Sequence, residues 1–177
     1  MIIYKIFFKD CFVFKTNEFK DSRGYFMEIF NEKTFNKKLK KNFKCKQINF
    51  IFSKKNSLRG LHFQKKPFSQ KKILRVIEGK IFDVVVDIRK NSKSFGKFKS
   101  VILSDKNKKQ IYIPDGFAHG YMTLSQTAKI EYICSNFYNK DYDVTIKWND
   151  KKINIKWPKS SKYQISKKDQ KGLNLSK

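Results

Sequence analysis

From residue 43 onward, short runs in which apolar and polar side chains alternate recur along the chain, with turn residues between them. They are "FKCKQINFIFS" (43–53), "SLRGLHFQ" (57–64), "KKILRVI" (71–77), "KIFDVVVDIR" (80–89), "KSVILS" (99–104), "KQIYIP" (109–114), "FAHGYMTLS" (117–125) and "AKIEYIC" (128–134). Alternation with period two predicts half-buried strands. The clearest hairpin is "ILRVIEGKIFDVVVDI", where Glu78-Gly79 supplies the turn. In its second arm Phe82, Val84, Val86 and Ile88 point one way and Asp83, Val85 and Asp87 the other; further on, Ile130, Tyr132 and Cys134 share a face. Only "NEKTFNKKLKK" (31–41) and the segment around "SKKDQ" read as helical. Many short strands with frequent turns predict an all-β sandwich or barrel. With no internal repeat and no linker rich in Gly, Pro or Ser, residues 1–177 form one expected domain.

Composition sharpens this picture. A chain of 177 residues removes roughly 70% of its unfolded surface on folding, enough for a substantial core. Eighteen Phe and frequent Ile favour pleated surfaces. No apolar stretch approaches the roughly 20 residues that span a bilayer. The opening "MIIYKIFFKDCFVFK" lacks a basic n-region and is interrupted by Lys5, Lys9 and Asp10, so no signal peptide and no membrane partner are expected. Three cysteines without CxxC spacing read as reduced thiols of a cytoplasmic protein rather than a zinc site or disulfide framework.

The formal net charge of +26 would attract polyanions. The cations are mostly Lys, however, scattered over nearly every loop, and no helix–turn–helix, RRM or zinc pattern accompanies them. The charge is read as a compositional bias, with no nucleic-acid partner expected.

Chemistry enters with two histidines in a chain holding forty-one Lys and Arg. "LRGLHFQ" (58–64) sets His62 in an apolar run, where a lone His is more often structural. Other polar groups in apolar strands change the balance: Lys72, Asp83, His119 and Tyr132. A His and a Tyr facing one cavity form a base and an acid suited to proton transfer at a carbon acid, and a cation beside them would hold an enolate oxygen. Asp83 and Asp87 mark either solvent or a pocket lining; His62 and Gln64 on the same face of neighbouring strands favour the pocket, and Asp83 reads equally as a structural carboxylate or one standing behind a site residue. Two His without HxH spacing make a metal site unexpected. Spacing alone does not identify a substrate.

The order of motifs does. "DSRGYFMEIF" (21–30), "QIN" (47–49), "LRGLHFQ", "QKKILRVIEGKIFDVVVDIRKNSKSFGKF" (70–98), "LSDKNKKQIYIPDGFAHGYMTLS" (103–125), "EYICSNFYN" (131–139), "IKWND" (146–150) and "IKWP" (155–158) closely resemble the dTDP-4-dehydrorhamnose 3,5-epimerases, over about residues 1–172. The resemblance implies a cupin-type jelly roll that works as a homodimer without metal or organic cofactor. The implied substrate is a dTDP-4-keto-6-deoxy sugar, inverted at C3 and C5 on the route to dTDP-L-rhamnose. A relative inverting one carbon only, or acting on another nucleotide-linked keto sugar, is the alternative.

By the same resemblance His62 is the base, Asp169 the carboxylate that orients it, Tyr132 the acid and Lys72 the cation at the 4-keto oxygen. Arg59 and His119 match groups near the diphosphate and sugar. Arg23, Phe26 and Glu28 match nucleotide contacts reaching across a dimer. Gln47, Asn49, Asp143 and Lys168 match further substrate contacts, and Tyr138 is a pocket or loop residue. Four features depart from the pattern or strain it. Asp143 stands where the family usually has Glu; Phe50 and Ile51 replace a more polar continuation; Lys71 lies beside Lys72; and strict alternation sets Arg59 and His62 on opposite faces unless Gly60 makes a bulge.

Overall fold

The alternating runs form strands of two facing sheets in the computed structural model, which describes residues 1–176; Lys177 lies outside the described residues. In chain order the elements are β1 (Ile2–Phe8), β2 (Cys11–Lys15), β3 (Glu18–Asp21), β4 (Gly24–Met27), α1 (Glu32–Leu39), β5 (Gln47–Lys54), β6 (Ser57–Gln64), β7 (Lys72–Glu78), β8 (Lys80–Asp87), β9 (Phe98–Ser104), β10 (Gln110–Ile113), β11 (Phe117–Thr123), β12 (Thr127–Cys134), β13 (Asp143–Thr145), β14 (Gln164–Ile165) and α2 (Lys167–Gln170). One sheet runs β1-β2-β10-β7-β12-β5 and the other β13-β6-β11-β8-β9, with β14 beside β6 and the β3–β4 hairpin apart. This is the expected cupin-type jelly roll.

Alternation decides what each face buries. Inward residues Leu74, Val76, Ile81, Val85, Ile111, Ile113, Tyr121 and Ile130 fill the space between the sheets. The outer face of the second sheet, with Leu58, Leu61, Val84, Val86 and Met122, is covered by Ile146, Ile153 and Trp157 from the C-terminal segment. At the β7–β8 turn Gly79 has φ +87°, and a Cβ there would meet the Thr127 carbonyl oxygen at 2.3 Å, so glycine is required.

The structure extends the sequence reading at the N-terminus, where β1 to β4 precede the alternating runs. It also shortens one run. Residues 43–46 are not strand; Phe43 is buried against Phe35 of α1, and the Asn36 side chain pairs with both its backbone N–H and its carbonyl, each at 2.8 Å. α1 is capped by Asn31, which accepts the Thr34 N–H, and it buries only Phe35, onto Phe12, Phe14 and Tyr112.

Asp83 and Asp87 correct an expectation. Both are fully buried, facing neither solvent nor a pocket. Asp87 accepts from the Arg89 backbone N–H, Nε and Nη2 and from the hydroxyls of Ser92 and Ser94, five bonds between 2.6 and 3.0 Å. Burial alone would raise its pKa; the Arg89 and serine bonds outweigh burial and hold it far below the usual carboxylate range. Its folded pKa being depressed, its stabilisation is present above the unfolded carboxylate value near 4 and fades as pH falls toward the folded one. Asp87→Ala is expected to cost about 3 kcal/mol in urea unfolding at pH 7. Asp87→Asn should also flatten the loss of stability below about pH 4.

Candidate active site

β6 sits between β13 and β11, so whatever it points inward is held from both sides. Against β11 its register slips: His62 is opposite His119, but Arg59 is opposite Tyr121, three steps on β6 for two on β11. The extra residue is a bulge at Gly60, whose φ is +110°. A Cβ there would lie 2.6 Å from the His119 carbonyl oxygen and 2.7 Å from the Gly120 Cα. The bulge resolves the alternation conflict, and Arg59 and His62 line one hollow of about 400 Å³ together with Ser57, Ser166, Lys168 and Asp169.

The short helix α2 brings Asp169 to His62. Ser166 caps it by accepting the Asp169 N–H at 3.1 Å. Asp169 is buried; its Oδ1 lies 2.6 Å from His62 Nε2, and its Oδ2 accepts the Gly60 N–H at 3.3 Å. Burial pushes the Asp169 carboxyl up, but the His62 hydrogen bond and charge, with the Gly60 and Ser166 bonds, bring it below its ordinary value. A carboxylate only accepts, so Nε2 carries the proton and Nδ1 is left as the basic nitrogen.

A second hollow of about 270 Å³ shares His62 and is lined by Gln47, Asn49, Lys72, Tyr132, Tyr138 and Asp143 among others. Here the two sheets face each other: His62 comes from β6, Tyr132 and Lys72 from β12 and β7 opposite. Burial, with the neighbouring Cys134, Tyr121 and Asp143, pushes Tyr132 up to about 12 despite the pull of Arg59, so it is a protonated acid at neutral pH. Burial also pulls Lys72 below the usual lysine range, and its ammonium lies 5.7 Å from the Tyr132 ring centroid. Lys71, by contrast, donates to the Asn42 carbonyl at 2.8 Å, so register makes Lys72 the cation of the hollow.

The remaining residues of interest divide. Tyr138 donates to Asp143 Oδ2 at 3.0 Å, and Lys168 pairs with the same oxygen, joining the loop after β12 to α2. The Tyr138 N–H reaches Gln47 Oε1 at 2.9 Å, and Gln47 Nε2 reaches Asn49 Oδ1 at 2.8 Å. His119 lies beside His62 on the next strand, but it is buried, bonded to Asp83 at 2.7 Å, and lines neither hollow. Arg23, Phe26 and Glu28 are not brought to His62 within one chain. Arg23 pairs with Asp21 at 2.7 Å, Phe26 is exposed on the β3–β4 hairpin, and Glu28 lines a separate cavity with Met1, Phe14 and Phe35.

The sequence reading missed some of the site. Gln64 is more than a neighbour on the same face: it donates to the Phe68 and Phe137 carbonyls and accepts the Asn139 N–H, anchoring the loop that carries Tyr138. Its signal was a polar side chain two residues from His62 in an apolar strand. Gln70, which lines the second hollow, lies outside every strand and gave none. Among the described residues, no group of three His, Cys, Asp or Glu side chains is placed to hold a metal.

A jelly roll presenting a histidine and a tyrosine from facing sheets to one hollow has the layout of a cupin-type isomerase. The family model for dTDP-4-dehydrorhamnose 3,5-epimerase matches residues 5–177, and the chain belongs to that family. The dTDP-4-dehydrorhamnose 3,5-epimerase of Shigella flexneri is 46% identical over 158 residues, 89% of this chain and 87% of that protein. That of Salmonella typhimurium is 43% identical over 169 residues, 96% and 92%. The crystal structure of a dTDP-6-deoxy-D-glucose-3,5-epimerase from Legionella pneumophila, in complex with dTDP-4-keto-L-rhamnose, superposes with TM-score 0.94 at 37% identity, covering 98% of this chain and 92% of that one.

Because Tyr132 does not titrate until about pH 12, the alkaline fall in kcat is expected to follow Lys72, whose charge is lost as pH rises through its lowered pKa. The limb should lie below pH 10.5 and vanish in Lys72→Gln, which keeps a low, pH-flat residual rate over that range; a limb unchanged in the variant would assign it to another group.

Proposed function

We propose that the chain inverts C3 and C5 of dTDP-4-dehydro-6-deoxy-D-glucose to give dTDP-4-dehydro-L-rhamnose, as an isomerase of dTDP-L-rhamnose biosynthesis. One observation carries the reading: His62 and Tyr132 approach the same hollow from opposite sheets, with Lys72 beside Tyr132. Inversion at a carbon needs a proton removed from one side and delivered to the other. The 4-keto group acidifies the C–H bonds on both of its neighbours. His62 Nδ1 takes the proton, and the electron pair of the broken C–H bond moves into an enolate whose oxygen the Lys72 ammonium holds. The enolate collapses to the ketone as carbon takes the Tyr132 hydroxyl proton on the opposite side. Asp169 supports the imidazolium that results. Imidazolium and tyrosinate must then reset before the second carbon reacts, and exchange with solvent does this.

Arg59 and Lys168 are proposed for the diphosphate and sugar side, and Gln47, Asn49, Tyr138 and Asp143 for the walls of the second hollow; His119, turned to Asp83 and lining neither hollow, is proposed to act from behind His62 and not on the substrate itself. The Asp143 carboxylate is already engaged by Tyr138 and Lys168, which supports a role in holding the wall as well as touching substrate. We propose a homodimer of single-domain chains in which Arg23, Phe26 and Glu28 serve the other subunit's nucleotide. Support comes from Ile48, Phe50 and Phe52, exposed in a row on the edge strand β5, and from exposed Phe19, Tyr25 and Phe26 on the hairpin. A cytoplasmic location fits the three free thiols of Cys11, Cys45 and Cys134.

Incubation with dTDP-4-dehydro-6-deoxyglucose in D₂O, read by mass spectrometry and NMR, should place deuterium at both C3 and C5. Label at one carbon only would make the chain a mono-epimerase, and no label would end the epimerase reading. His62→Ala should abolish exchange at both carbons. Tyr132→Phe should keep exchange while losing most net inversion, particularly at C5, whereas Tyr138→Phe should mainly weaken binding. The opposite outcome for the two tyrosines would reassign the acid.

A further inference from the structure

Tyr121 of β11 is 3% exposed and packs in the cluster between the sheets with Ile81, Val85, Ile111 and Ile130. A phenylalanine would supply that packing without burying a hydroxyl, which costs free energy unless it is hydrogen-bonded. The hydroxyl has a specific partner: it lies 3.0 Å from Ser53 Oγ, on β5 of the opposite sheet. Ser53 is itself 2% exposed, and its oxygen accepts from Arg59 Nε at 3.1 Å. Arg59 Nη2 donates to the Phe52 carbonyl at 3.4 Å. Three strands from two sheets therefore converge on one guanidinium.

We propose that Tyr121 and Ser53 are positioning residues that clamp Arg59 so that the free edge of its guanidinium meets the substrate diphosphate. This rests on the reading of Arg59 as a diphosphate contact. A guanidinium carries five N–H donors in a rigid plane, and fixing two of them on β5 aims the other three together. Arg59 lines the first hollow with Lys168, while Tyr121 and Ser53 line neither hollow, so their effect on substrate passes through Arg59. The advantage is preorganisation: a long side chain already held in its binding geometry loses less freedom when the anion arrives.

The test is steady-state kinetics with competition by dTDP and by thymidine. Tyr121→Phe and Ser53→Ala should each raise KM, and the inhibition constant of dTDP, about two- to tenfold while leaving kcat and thymidine inhibition nearly unchanged. Arg59→Gln should weaken dTDP more strongly, and adding Tyr121→Phe to it should change nothing further. An unchanged KM in Tyr121→Phe, a loss in kcat instead, equal weakening of thymidine, or full additivity with Arg59→Gln would each overturn the clamp. If Arg59→Gln itself leaves dTDP inhibition intact, the diphosphate reading of Arg59 fails and the clamp falls with it.

Discussion

The contact between His62 and Asp169, at 2.6 Å, is what ties β6 to the C-terminal segment. Neither side holds this geometry alone. α2 spans only Lys167–Gln170, a single turn, and helices this short do not persist without outside contacts. A buried carboxylate needs donors, and Asp169 takes them from the His62 ring and the Gly60 N–H. The Gly60 bulge that turns Arg59 and His62 toward one hollow thus also supplies the N–H that helps seat the orienting carboxylate. Gly172 completes the junction; a Cβ there would meet the Ile146 carbonyl carbon at 2.8 Å.

The two-sheet construction sets His62 and Tyr132 on opposite sides of one hollow. β6 and β12 belong to different sheets, and their inward alternation sends His62 and Tyr132 toward each other across the interior. Burial keeps Tyr132 protonated, and Lys72 is the cation of that wall although burial pulls it below the usual lysine range. Deeper in the same interior, Asp83 Oδ2 meets His119 and Ser53 meets Tyr121, while Asp83 Oδ1 is buried without a partner among the described residues.

Much of this was legible in the chain. Alternation located the strands from β5 to β12, and the Glu78-Gly79 turn and the shared face of Ile130, Tyr132 and Cys134 stand as read. Motif order pointed to Asp169, which no local pattern singles out. The N-terminal strands were not legible, for two reasons. "MIIYKIFF" has no clean alternation because Ile2, Tyr4 and Ile6 are exposed on its outer side, and β3–β4 stands apart from both sheets with little apolar contrast. The solvent or pocket face read for Asp83 and Asp87 failed because a period-two pattern treats a carboxylate as a solvent marker, whereas the structural reading of Asp83 fits its bond to His119. The partners that allow burial, His119 for one and Arg89, Ser92 and Ser94 for the other, are a matter of three-dimensional arrangement. The Tyr121–Ser53–Arg59 chain was invisible for the same reason: its members lie on three strands of two sheets.

The proposed chemistry turns on Asp169 fixing the tautomer of His62 so that Nδ1 is the base. The direct measurement is the ¹⁵N chemical shift of both His62 ring nitrogens in histidine-labelled protein, at a pH where the ring is neutral, with Asp169→Asn as the reference. A protonated Nε2 and an unprotonated Nδ1 are expected in the native chain, with that preference weakened or lost in the variant. A native ring protonated at Nδ1, or an identical spectrum in Asp169→Asn, would contradict it.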